Sequence, residues 1–342
     1  MTPHPLARDL DHILAQTTGL WPELRHARIF ITGGTGFIGT WLLESLLWAN
    51  DRLNLDVQAL VLTRDPAAFA RKAPHLARHP ALRWHTGDVR NFAFPAETFT
   101  HLIHAATPVS AVNAAKIDLL ETIAEGTRHV LALARRSGAK DVLYLSSGAV
   151  YAPNTASSLS EGASVDLPAD ASPYARGKRL AEEICVAHHE PLHIRIARGF
   201  AFVGPHLPLD GHLAIGNFIG DALAGRPIQV RGDGSAVRSY LYAADLAIWL
   251  WTILLRGTPG RAYNVGSPHP IVLADLAHLV ADTLRPGTPV HIAQAPLPGV
   301  AGHRYVPNTD RARSELGLAP TIDLVDAITR TAAWHRAPTG PR

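Results

Sequence analysis

The stretch Thr32-Gly33-Gly34-Thr35-Gly36-Phe37-Ile38-Gly39 decides the fold of this 342-residue chain. Residues 28–32 form a short apolar run before it, which predicts a buried strand. Residues 37–49 repeat apolar side chains at helical spacing after it, which predicts a helix. Glycines at this spacing between a strand and a helix are typical of a turn that holds the pyrophosphate of a dinucleotide.

Each glycine of this turn has a separate physical task. Gly33 permits the tight turn, Gly36 lets the backbone approach the pyrophosphate, and Gly39 lets the helix pack closely on the strand. The unpaired N–H groups and the positive end of the dipole at a helix start attract phosphates. We therefore expect the cofactor to contact six positions of the turn, which are Gly33, Thr35, Gly36, Phe37, Ile38 and Gly39.

The rest of the chain alternates strand patterns with helix patterns. Near-continuous apolar strands of this kind predict a parallel sheet that helices cover on both faces. The sequence therefore predicts an α/β fold with a Rossmann-like doubly wound parallel sheet and a smaller C-terminal substrate lobe. Predicted strands lie at residues 57–62, 82–85, 100–105, 142–147, 192–197 and 261–265. Predicted helices lie at residues 117–136, 174–188, 243–256 and 273–284.

A shift in composition indicates where the domains divide. Residues 203–211 and 225–238 are rich in Gly and Pro, which indicates loops and a smaller lobe beyond the main sheet. The units that we expect are an N-terminal helical extension at 1–26, a Rossmann domain at 27–200 to which 240–266 return, and a substrate-binding lobe at 201–239 and 267–335.

Composition excludes several classes of function. The 32 Lys and Arg residues exceed the 29 Asp and Glu residues by only 3, and they are scattered, so bulk charge gives no sign of nucleic-acid binding. The single cysteine, Cys185, excludes an internal disulfide framework. The 19 histidines show no convincing ligand spacing, so we expect no metal. Residues 1–20 are no signal peptide and no apolar run could span a bilayer, which predicts a cytoplasmic protein that binds no membrane.

The end of the second predicted strand, at residues 62–65, should contact the adenosine ribose of the cofactor. An acid there would bind the 2′-hydroxyl of NAD, but Thr63 stands at the expected place. Arg64 can bind a 2′-phosphate, which favours NADP, while Asp65 one residue later keeps NAD open. After the third predicted strand, Asp88 is placed to bond the adenine amino group or to serve as a turn residue.

Tyr174 and Lys178 form a Tyr-x-x-x-Lys pair on one face of a predicted helix. The chain has only seven tyrosines, and Tyr144 and Tyr151 lack a lysine one turn on. A free phenol has a pKa of about 10, which the charges of Lys178 and nicotinamide can lower. We expect Tyr174 to exchange a proton with the substrate while a hydride moves to or from the nicotinamide. Ser147, at the carboxyl edge of the fifth strand, should bond the same oxygen, and Lys178 the nicotinamide ribose.

With these residues in place, the chain resembles an extended short-chain dehydrogenase/reductase of the nucleotide-sugar epimerase/dehydratase group over about residues 28–318. The resemblance implies further cofactor contacts at Val89, Ala105 and Ala106. The matching stretches besides the glycine turn and the Tyr–Lys pair are His-Ala-Ala at 104–106, Ser-Ser-Gly-Ala-Val-Tyr at 146–151, Arg-Gly-Phe-Ala-Phe-Val-Gly-Pro at 198–205, Arg-Ser-Tyr-Leu-Tyr-Ala-Ala-Asp at 238–245 and Tyr-Asn-Val-Gly at 263–266.

The same resemblance implies that the C-terminal lobe binds a nucleoside diphosphate sugar. Arg238 would hold the diphosphate with its planar guanidinium. Asn217 would bond a phosphate, and Arg304 is a further candidate for the same anion. The resemblance also implies a homodimer, in which the helices at 117–136 and 174–188 of two copies form a four-helix bundle.

Two departures from the family pattern bear on the reaction. Sugar 4,6-dehydratases of this family carry acidic residues just after the catalytic serine or threonine, where this chain has Gly148 and Ala149. These residues can neither remove the C5 proton nor protonate the departing oxygen, so a dehydratase of that type is disfavoured. Residues 122–125 (Thr-Ile-Ala-Glu) also lack the family's usual asparagine, which helps to organise the site.

Several functions stay open at this point. The first is 4-keto reduction of a nucleotide sugar with Tyr174 as the acid, and Arg64 favours it because such reductases often use NADPH. The alternative is 4-epimerisation through a transient 4-keto sugar with tightly bound NAD. A reductase of a non-sugar carbonyl compound is a further alternative, against which Arg238 and Asn217 argue. A non-catalytic cofactor-sensing protein is the last, and the retained Tyr174 and Lys178 argue against it.

Overall fold

The computed structural model describes residues 4–107, 116–152, 156–211, 213–295, 299 and 302–336. The helices are, in chain order, α1 (Ala7–Gln16), α2 (Phe37–Leu53), α3 (Pro66–Lys72), α4 (Pro74–Ala77), α5 (Lys116–Ser137), α6 (Pro173–Ala187), α7 (Ala214–Leu223), α8 (Ala243–Arg256), α9 (Leu273–Leu284), α10 (Asp310–Leu316) and α11 (Leu324–Arg336). The strands are β1 (Arg28–Thr32), β2 (Gln58–Thr63), β3 (Leu82–Thr86), β4 (His101–His104), β5 (Asp141–Ser147), β6 (His193–Gly199), β7 (Phe202–Val203), β8 (Ile228–Val230), β9 (Val237–Arg238), β10 (Leu241–Tyr242), β11 (Ala262–Val265), β12 (Ile271–Val272), β13 (Val290–Ile292) and β14 (Arg304–Tyr305).

Seven parallel strands form the central sheet in the order β11-β6-β5-β4-β1-β2-β3. The strand order reverses at β1, whose last residue, Thr32, pairs with Leu62 of β2 and His104 of β4. The carboxyl ends of these strands therefore lie side by side, at the edge where open α/β sheets bind their ligands. The predicted doubly wound parallel sheet is confirmed.

The two faces of the sheet carry separate cores because successive side chains of a strand point in opposite directions. In β1, Ile29 and Ile31 join one core and Phe30 joins the other. Helices α1, α2 and α8 cover the first face, and α5 and α6 cover the second. Crossover helices on both faces give a two-sided fold in which α2 carries the cofactor turn and α6 the Tyr–Lys pair.

The predicted elements are found within a few residues of their expected bounds, with one clear extension. Helix α2 continues past residue 49 to Leu53, where Asn54 adopts a left-handed conformation with φ 50° and ends it. The short helices α3 and α4 were not predicted. Each begins at a proline, Pro66 and Pro74, which suits the first helical position because the missing N–H needs no partner there.

Three small sheets and the terminal helices lie outside the main sheet in the described part of the chain. Strands β12, β9 and β14 form one small sheet in that order, β10 pairs with β7, and β13 pairs with β8. The N-terminal helix α1 is fixed by Asp9, which accepts hydrogen bonds from Tyr242 at 2.6 Å and from Arg330 of α11. Among the described residues, none of the helices combines the length and apolar character that a membrane span needs.

Candidate active site

The glycine turn leaves space on one side only. Gly33 has φ 72°, and a β-carbon there would lie 2.5 Å from the carbonyl carbon of Ala105. A β-carbon at Gly39 would lie 2.2 Å from the carbonyl oxygen of Gly33. At Gly36, by contrast, a β-carbon would meet only the carbonyl oxygen of Gly33, at 3.4 Å, so this position is far less crowded. The turn is closed against the sheet and open outward, which is the side on which a pyrophosphate would lie.

The start of α2 offers unoccupied backbone donors beside this space. Gly36 is the N-cap residue and supplies no side-chain hydrogen bond to the first turn. Thr35, Phe37 and Ile38 flank the same position and are partly exposed. Uncapped N–H groups at a helix N-terminus bind anions through hydrogen bonds and the helix dipole. The local geometry therefore fits a dinucleotide at the predicted positions.

A buried polar network holds the end of β4 against the glycine turn. Thr32 Oγ1 lies 2.7 Å from His104 Nδ1 and accepts a hydrogen bond from the Ala106 N–H at 3.2 Å. Nε2 of His104 lies 3.1 Å from Thr127 Oγ1. Burial, together with the charge of Lys178, lowers the pKa of His104 to about 3. The ring is therefore neutral at neutral pH, and it places the 105–106 backbone against Gly33.

The residues expected to contact the adenosine half lie at the ends of β2 and β3. Arg64 is exposed, whereas the Asp65 carboxylate caps α3 by accepting a hydrogen bond from the Ala68 N–H at 2.9 Å. Asp88 accepts hydrogen bonds from the Arg90 backbone at 3.0 Å and from its guanidinium at 2.9 Å. Hydrogen bonds from Arg90, and to a lesser extent the charge of Arg64, hold the pKa of Asp88 below its usual range. Both acids thus already have partners within the protein.

Ser147, Tyr174 and Lys178 meet where β5 ends and α6 begins. Ser147 is the last residue of β5, and Tyr174 and Lys178 occupy the first two turns of α6. Ser172 caps α6 by accepting a hydrogen bond from the Ala175 N–H at 3.2 Å, which fixes the start of the helix. Tyr174 and Ser147 share a hydrogen bond that acts on the tyrosine's pKa.

The pKa of Tyr174 shifts in the opposite direction from our expectation. Burial raises the pKa of Tyr174, and the hydrogen bond with Ser147 offsets only part of that rise. Lys178 Nζ donates to the carbonyl of Leu145 at 2.6 Å and to Thr107 Oγ1 at 2.7 Å, so it is held at the strand end. Burial lowers the pKa of Lys178 to about 7, although Glu182 opposes the shift. Desolvation thus outweighs the expected effect of Lys178 on the pKa of the phenol.

A buried ion pair behind the catalytic helix was not predicted. Glu182, one turn after Lys178 on α6, accepts hydrogen bonds from Ser146 and from Arg198 at 3.0 and 2.7 Å. Arg198 also donates to the Tyr151 hydroxyl at 2.9 Å. This network ties β5, α6 and β6 together. The i+4 spacing from Lys178 was the signal in the sequence, since it places Glu182 on the same helix face.

A second phenol, Tyr305, enters the site from outside the main sheet. Its hydroxyl lies 3.5 Å from Ser147 Oγ, and burial raises its pKa well above the usual range. Tyr305 belongs to β14, which pairs with β9 so that Tyr305 stands opposite Arg238. The small β12-β9-β14 sheet therefore brings the predicted diphosphate residue next to the catalytic group. No local motif marks Tyr305, because its neighbours in space are 67 or more positions away in the chain.

Tyr305 and Phe200 also explain the missing acid after Ser147. A β-carbon at Gly148 would lie 2.6 Å from the Phe200 ring and 2.8 Å from the Tyr305 hydroxyl. The two rings pack against each other at a centroid distance of 4.6 Å, with their planes tilted by 34°. Aromatic side chains thus occupy the volume that a longer side chain at position 148 would need, and Ala149 offers no titratable group.

The remaining predicted substrate residues lie at separate places. Asn217 lines a cleft of about 550 Å³ together with Asp221, Arg226 and Arg231. Arg238 Nη1 donates to the carbonyl oxygens of Val237 at 2.9 Å and His303 at 2.8 Å, and Arg304 Nε donates to the carbonyl oxygen of Ser157. The structure places Arg238 beside the catalytic group, and the other two outside it.

The fold and site together define a nicotinamide-dependent enzyme of the extended short-chain dehydrogenase/reductase class. The model of the NAD dependent epimerase/dehydratase family matches residues 29–266, about seven-tenths of the chain, and the chain belongs to this family. The predicted class and family are therefore confirmed.

Named relatives in this family perform several reactions. UDP-glucuronic acid decarboxylase 1 of Arabidopsis thaliana is 27% identical over 319 residues, which are 91% of this chain and 70% of the relative. UDP-glucuronic acid decarboxylase 2 of the same plant is 29% identical over 304 residues, 87% of this chain and 65% of the relative. A crystal structure of a double mutant of the dTDP-glucose 4,6-dehydratase from Streptomyces venezuelae, with NAD and DAU bound, aligns with a TM-score of 0.76 at 25% identity, over 91% of this chain and 97% of that one.

Proposed function

We propose that this protein transfers a hydride at C4 of a nucleotide-diphosphate sugar, with net reduction of a 4-keto sugar as its reaction. One observation carries the proposal. Three hydroxyl groups, those of Ser147, Tyr174 and Tyr305, converge at the carboxyl edge of the sheet beside Arg238, while positions 148 and 149 hold no acid. The site is equipped to polarise and protonate one oxygen, and it lacks the carboxylate that an elimination needs.

The residues of the chain divide the chemistry among them. Bound NAD or NADP supplies or accepts the hydride. Tyr174, whose pKa burial raises, stays protonated at neutral pH and donates its proton to the C4 oxygen. Ser147 bonds the same oxygen and fixes its position. Lys178, anchored on Leu145 and Thr107, is placed to bind the cofactor ribose.

The substrate-binding lobe that we propose comprises residues 201–239 and 267–335, next to the Rossmann domain at 27–200 with residues 240–266. Arg238 would bind the diphosphate near the reacting sugar, since it stands opposite Tyr305. The cleft that Asn217 lines would take the nucleoside. Arg304, held on Ser157, is the outermost candidate for the same anion.

A second candidate is decarboxylation of a nucleotide uronic acid, as the names of the Arabidopsis relatives suggest. Oxidation at C4 turns such a sugar into a β-keto acid. The C5–C6 bond then breaks, carbon dioxide leaves, and the electron pair forms an enolate across C5, C4 and the C4 oxygen. No base is needed for this step, but C5 must then gain a proton, and the Tyr305 hydroxyl stands 3.5 Å from Ser147 Oγ to supply it.

We propose that Arg64 binds the 2′-phosphate of NADP, although the family is NAD-dependent and the S. venezuelae dehydratase binds NAD. The support comes from Asp65, whose carboxylate caps α3 and so is engaged away from a ribose. The test is the ratio of dissociation constants for NADP and NAD. Arg64→Ala should weaken NADP binding about tenfold and leave NAD binding nearly unchanged. Equal weakening of both would contradict the assignment.

We also propose a homodimer that packs through α5 and α6. These helices lie against each other on one face of the sheet, and Val186 near the end of α6 is 51% exposed. An exposed large apolar residue on a helix surface suits an interface. Light scattering after size exclusion should give a molar mass of twice that of the chain. In Val186→Asp the measured mass should fall toward that of a single chain.

The deciding experiment separates the reactions by isotope. Purified enzyme is incubated with 4-keto sugars and nicotinamide-deuterated NADPH or NADH, and separately with UDP and dTDP sugars or uronic acids and oxidised NAD or NADP, and products are read by mass spectrometry and NMR. A reductase places deuterium at C4 and consumes cofactor in proportion. A decarboxylase releases carbon dioxide without net consumption, and an epimerase interconverts C4 epimers. Turnover of non-sugar ketones alone would overturn the proposal.

Tyr305→Phe sharpens the same experiment. The phenyl ring keeps the packing against Phe200, and the substitution removes only the hydroxyl. In a reductase, where Tyr174 donates the proton, we expect a loss in kcat of less than about tenfold. In a decarboxylase, where Tyr305 protonates C5, the loss should exceed about 100-fold, with release of the 4-keto product.

A further inference from the structure

A cluster of three imidazoles surrounds one buried carboxylate on α2, and it includes none of the catalytic residues. Glu44 Oε1 lies 2.9 Å from His75 Nε2 and 3.3 Å from His206 Nε2, and Glu44 Oε2 lies 3.5 Å from His4 Nε2. The ligand atoms of His4, Glu44 and His75 all lie within 4.8 Å of one another. We call His4, Glu44, His75 and His206 the histidine cluster.

The cluster is assembled from four separate segments of the chain. His4 precedes α1, Glu44 lies in the middle of α2, His75 is in α4, and His206 follows β7. The Glu44 side chain is 2% exposed and that of His206 is 5% exposed. Nε2 of His206 is buried and points at the carboxylate, but its geometry satisfies no hydrogen bond with any described atom. A buried ring nitrogen in that state is rare without a partner.

The charge of Glu44 lacks a permanent counter-ion. Among the described residues, its ion pairs are with imidazoles only. Burial acts to raise the pKa of Glu44, but the imidazoles of His206 and His75 outweigh burial and lower it to about 2. Burial lowers the pKa of His4 and of His206. Glu44 is therefore ionised at neutral pH, as a carboxylate that binds a metal ion must be.

We propose that the histidine cluster binds one Zn²⁺ ion as a structural site. His4, Glu44 and His75 bring two imidazole nitrogens and one carboxylate oxygen within 4.8 Å of one another. His206, whose Nε2 lies 3.3 Å from Glu44 Oε1 but outside that group, would move toward the ion as the fourth ligand of the four-coordinate set that zinc accepts in proteins. Magnesium and calcium prefer sets made only of oxygen, so they fit less well. Bonds of about 2.0–2.1 Å place tetrahedral ligand atoms about 3.3 Å apart, close to the 2.9–3.5 Å that separates the nitrogens from the Glu44 oxygens.

His4 also needs an adjustment on binding. Its Nδ1 accepts a hydrogen bond from the Leu6 N–H at 3.2 Å. A neutral ring that binds metal through Nε2 carries its proton on Nδ1, so this long hydrogen bond would be released. We therefore expect the loss of this hydrogen bond to reduce the contribution of His4 to affinity.

The ion would connect the N-terminal segment to the helix that carries the cofactor turn. Trp41, one turn before Glu44 on α2, donates its indole N–H to the carbonyl of Pro205 at 2.9 Å, and His206 follows directly. Glu44 is eight residues after Gly36, which is about 12 Å along the helix axis. The site is therefore too far from the pyrophosphate turn for catalysis, and its effect would be on the position of α2 and on stability.

Untagged protein, dialysed against metal-free buffer, tests this by elemental analysis and thermal unfolding. We expect about one zinc per chain. Stripping with a strong chelator should lower Tm by about 5 °C or more, and ZnCl2 should restore it. Cobalt substitution should give the intense visible absorption of a tetrahedral site. Zinc below about a tenth of an equivalent, with no change in Tm on adding ZnCl2, would overturn the proposal.

Variants place the metal within the molecule. Glu44→Gln and His75→Gln should abolish both the retained zinc and the response of Tm to chelator. The matched control is His79→Gln, because His79 lies nearby in the chain and pairs with the exposed Asp51 at 3.2 Å, outside the cluster. It should keep both properties. Zinc retained equally by His75→Gln and His79→Gln would show that the metal binds elsewhere and would refute the site.

Discussion

Two buried glutamates on opposite faces of the central sheet are neutralised in different ways. Glu182 on α6 and Glu44 on α2 are each 2% exposed. Arg198 holds Glu182 through two nitrogens, and burial, which alone would lower the arginine's pKa, is outweighed by Glu182, which raises it. Glu44 faces imidazoles instead. A guanidinium keeps its charge at every pH at which a protein folds, whereas an imidazole loses its charge near neutral pH.

The difference separates what each region needs from its surroundings. The Glu182–Arg198 pair is complete within the chain, and it supports the catalytic helix without any bound ion. The histidine cluster is complete only when a proton or a cation balances Glu44. We therefore expect the contribution of Glu182 to the free energy of unfolding to be the same with and without chelator. The contribution of Glu44 should change when chelator is added.

The largest effect is expected when the permanent pair is broken. Glu182→Gln should lower the free energy of unfolding by about 3 kcal/mol, because it leaves a buried guanidinium without its counter-ion. Chemical denaturation measures this loss, which should be the same with and without chelator. A matched control is Glu183→Gln, whose ion pair with Arg179 is on the helix surface at 3.1 Å. Exposed pairs are worth less than about 1 kcal/mol, and a similar loss in both variants would break the comparison.

The next largest effect distinguishes the proton donor on α6 from the ion pair that stabilises the same helix. Tyr174→Phe should lower kcat/KM at least about 100-fold, or about 2.7 kcal/mol of transition-state stabilisation. It removes the proton donor and leaves Glu182 and Arg198 in place. The dissociation constant of the cofactor and the midpoint of unfolding should therefore stay near their native values. Unchanged turnover would remove Tyr174 from the mechanism.

The parts of the molecule that could be predicted from the sequence depend on neighbours within one element or one turn. The glycine turn and the Tyr174–Lys178 pair have their geometry encoded at spacings of three and four residues. The parallel sheet follows from apolar runs that alternate with helices. Local periodicity is enough in these cases because the backbone itself fixes the distances.

The parts that were missed depend on tertiary contacts. Tyr305 reaches Ser147 only because β14 pairs with β9. No sequence pattern near either residue predicts this pairing. The histidine cluster joins positions that are up to 202 residues apart, so a search for ligand spacing along one helix finds nothing. The pKa of Tyr174 departs from expectation because burial depends on the whole fold, and not on its distance from Lys178 in sequence.

A smaller effect is expected when Glu44 is neutralised in chelated protein. Glu44→Gln should then cost about 1–2 kcal/mol, because it weakens hydrogen bonds to imidazoles but leaves no buried charge unpaired. The measurement is denaturation in excess chelator, next to Glu182→Gln under the same conditions. A loss as large as that of Glu182→Gln would mean that the imidazoles carry a proton, and that the two glutamates are equivalent.

The smallest effect is the change in the free energy of unfolding with pH. A substitution of His104 measures the part that comes from one histidine. Its pKa falls from 6.5 to about 3 on folding, through burial and the charge of Lys178. A base with a depressed folded pKa takes up its proton only in the unfolded state between these values, so the stability present above pH 6.5 is lost as pH falls toward 3. Between pH 6.5 and 5.5 the loss for one such group is about 1 kcal/mol. His104→Gln, which can still bond Thr32 and Thr127, should remove that share of the pH dependence in chelated protein. An unchanged slope in His104→Gln would assign the acid sensitivity to other imidazoles whose pKa values burial lowers, which among the described residues are His4, His101, His206 and His303.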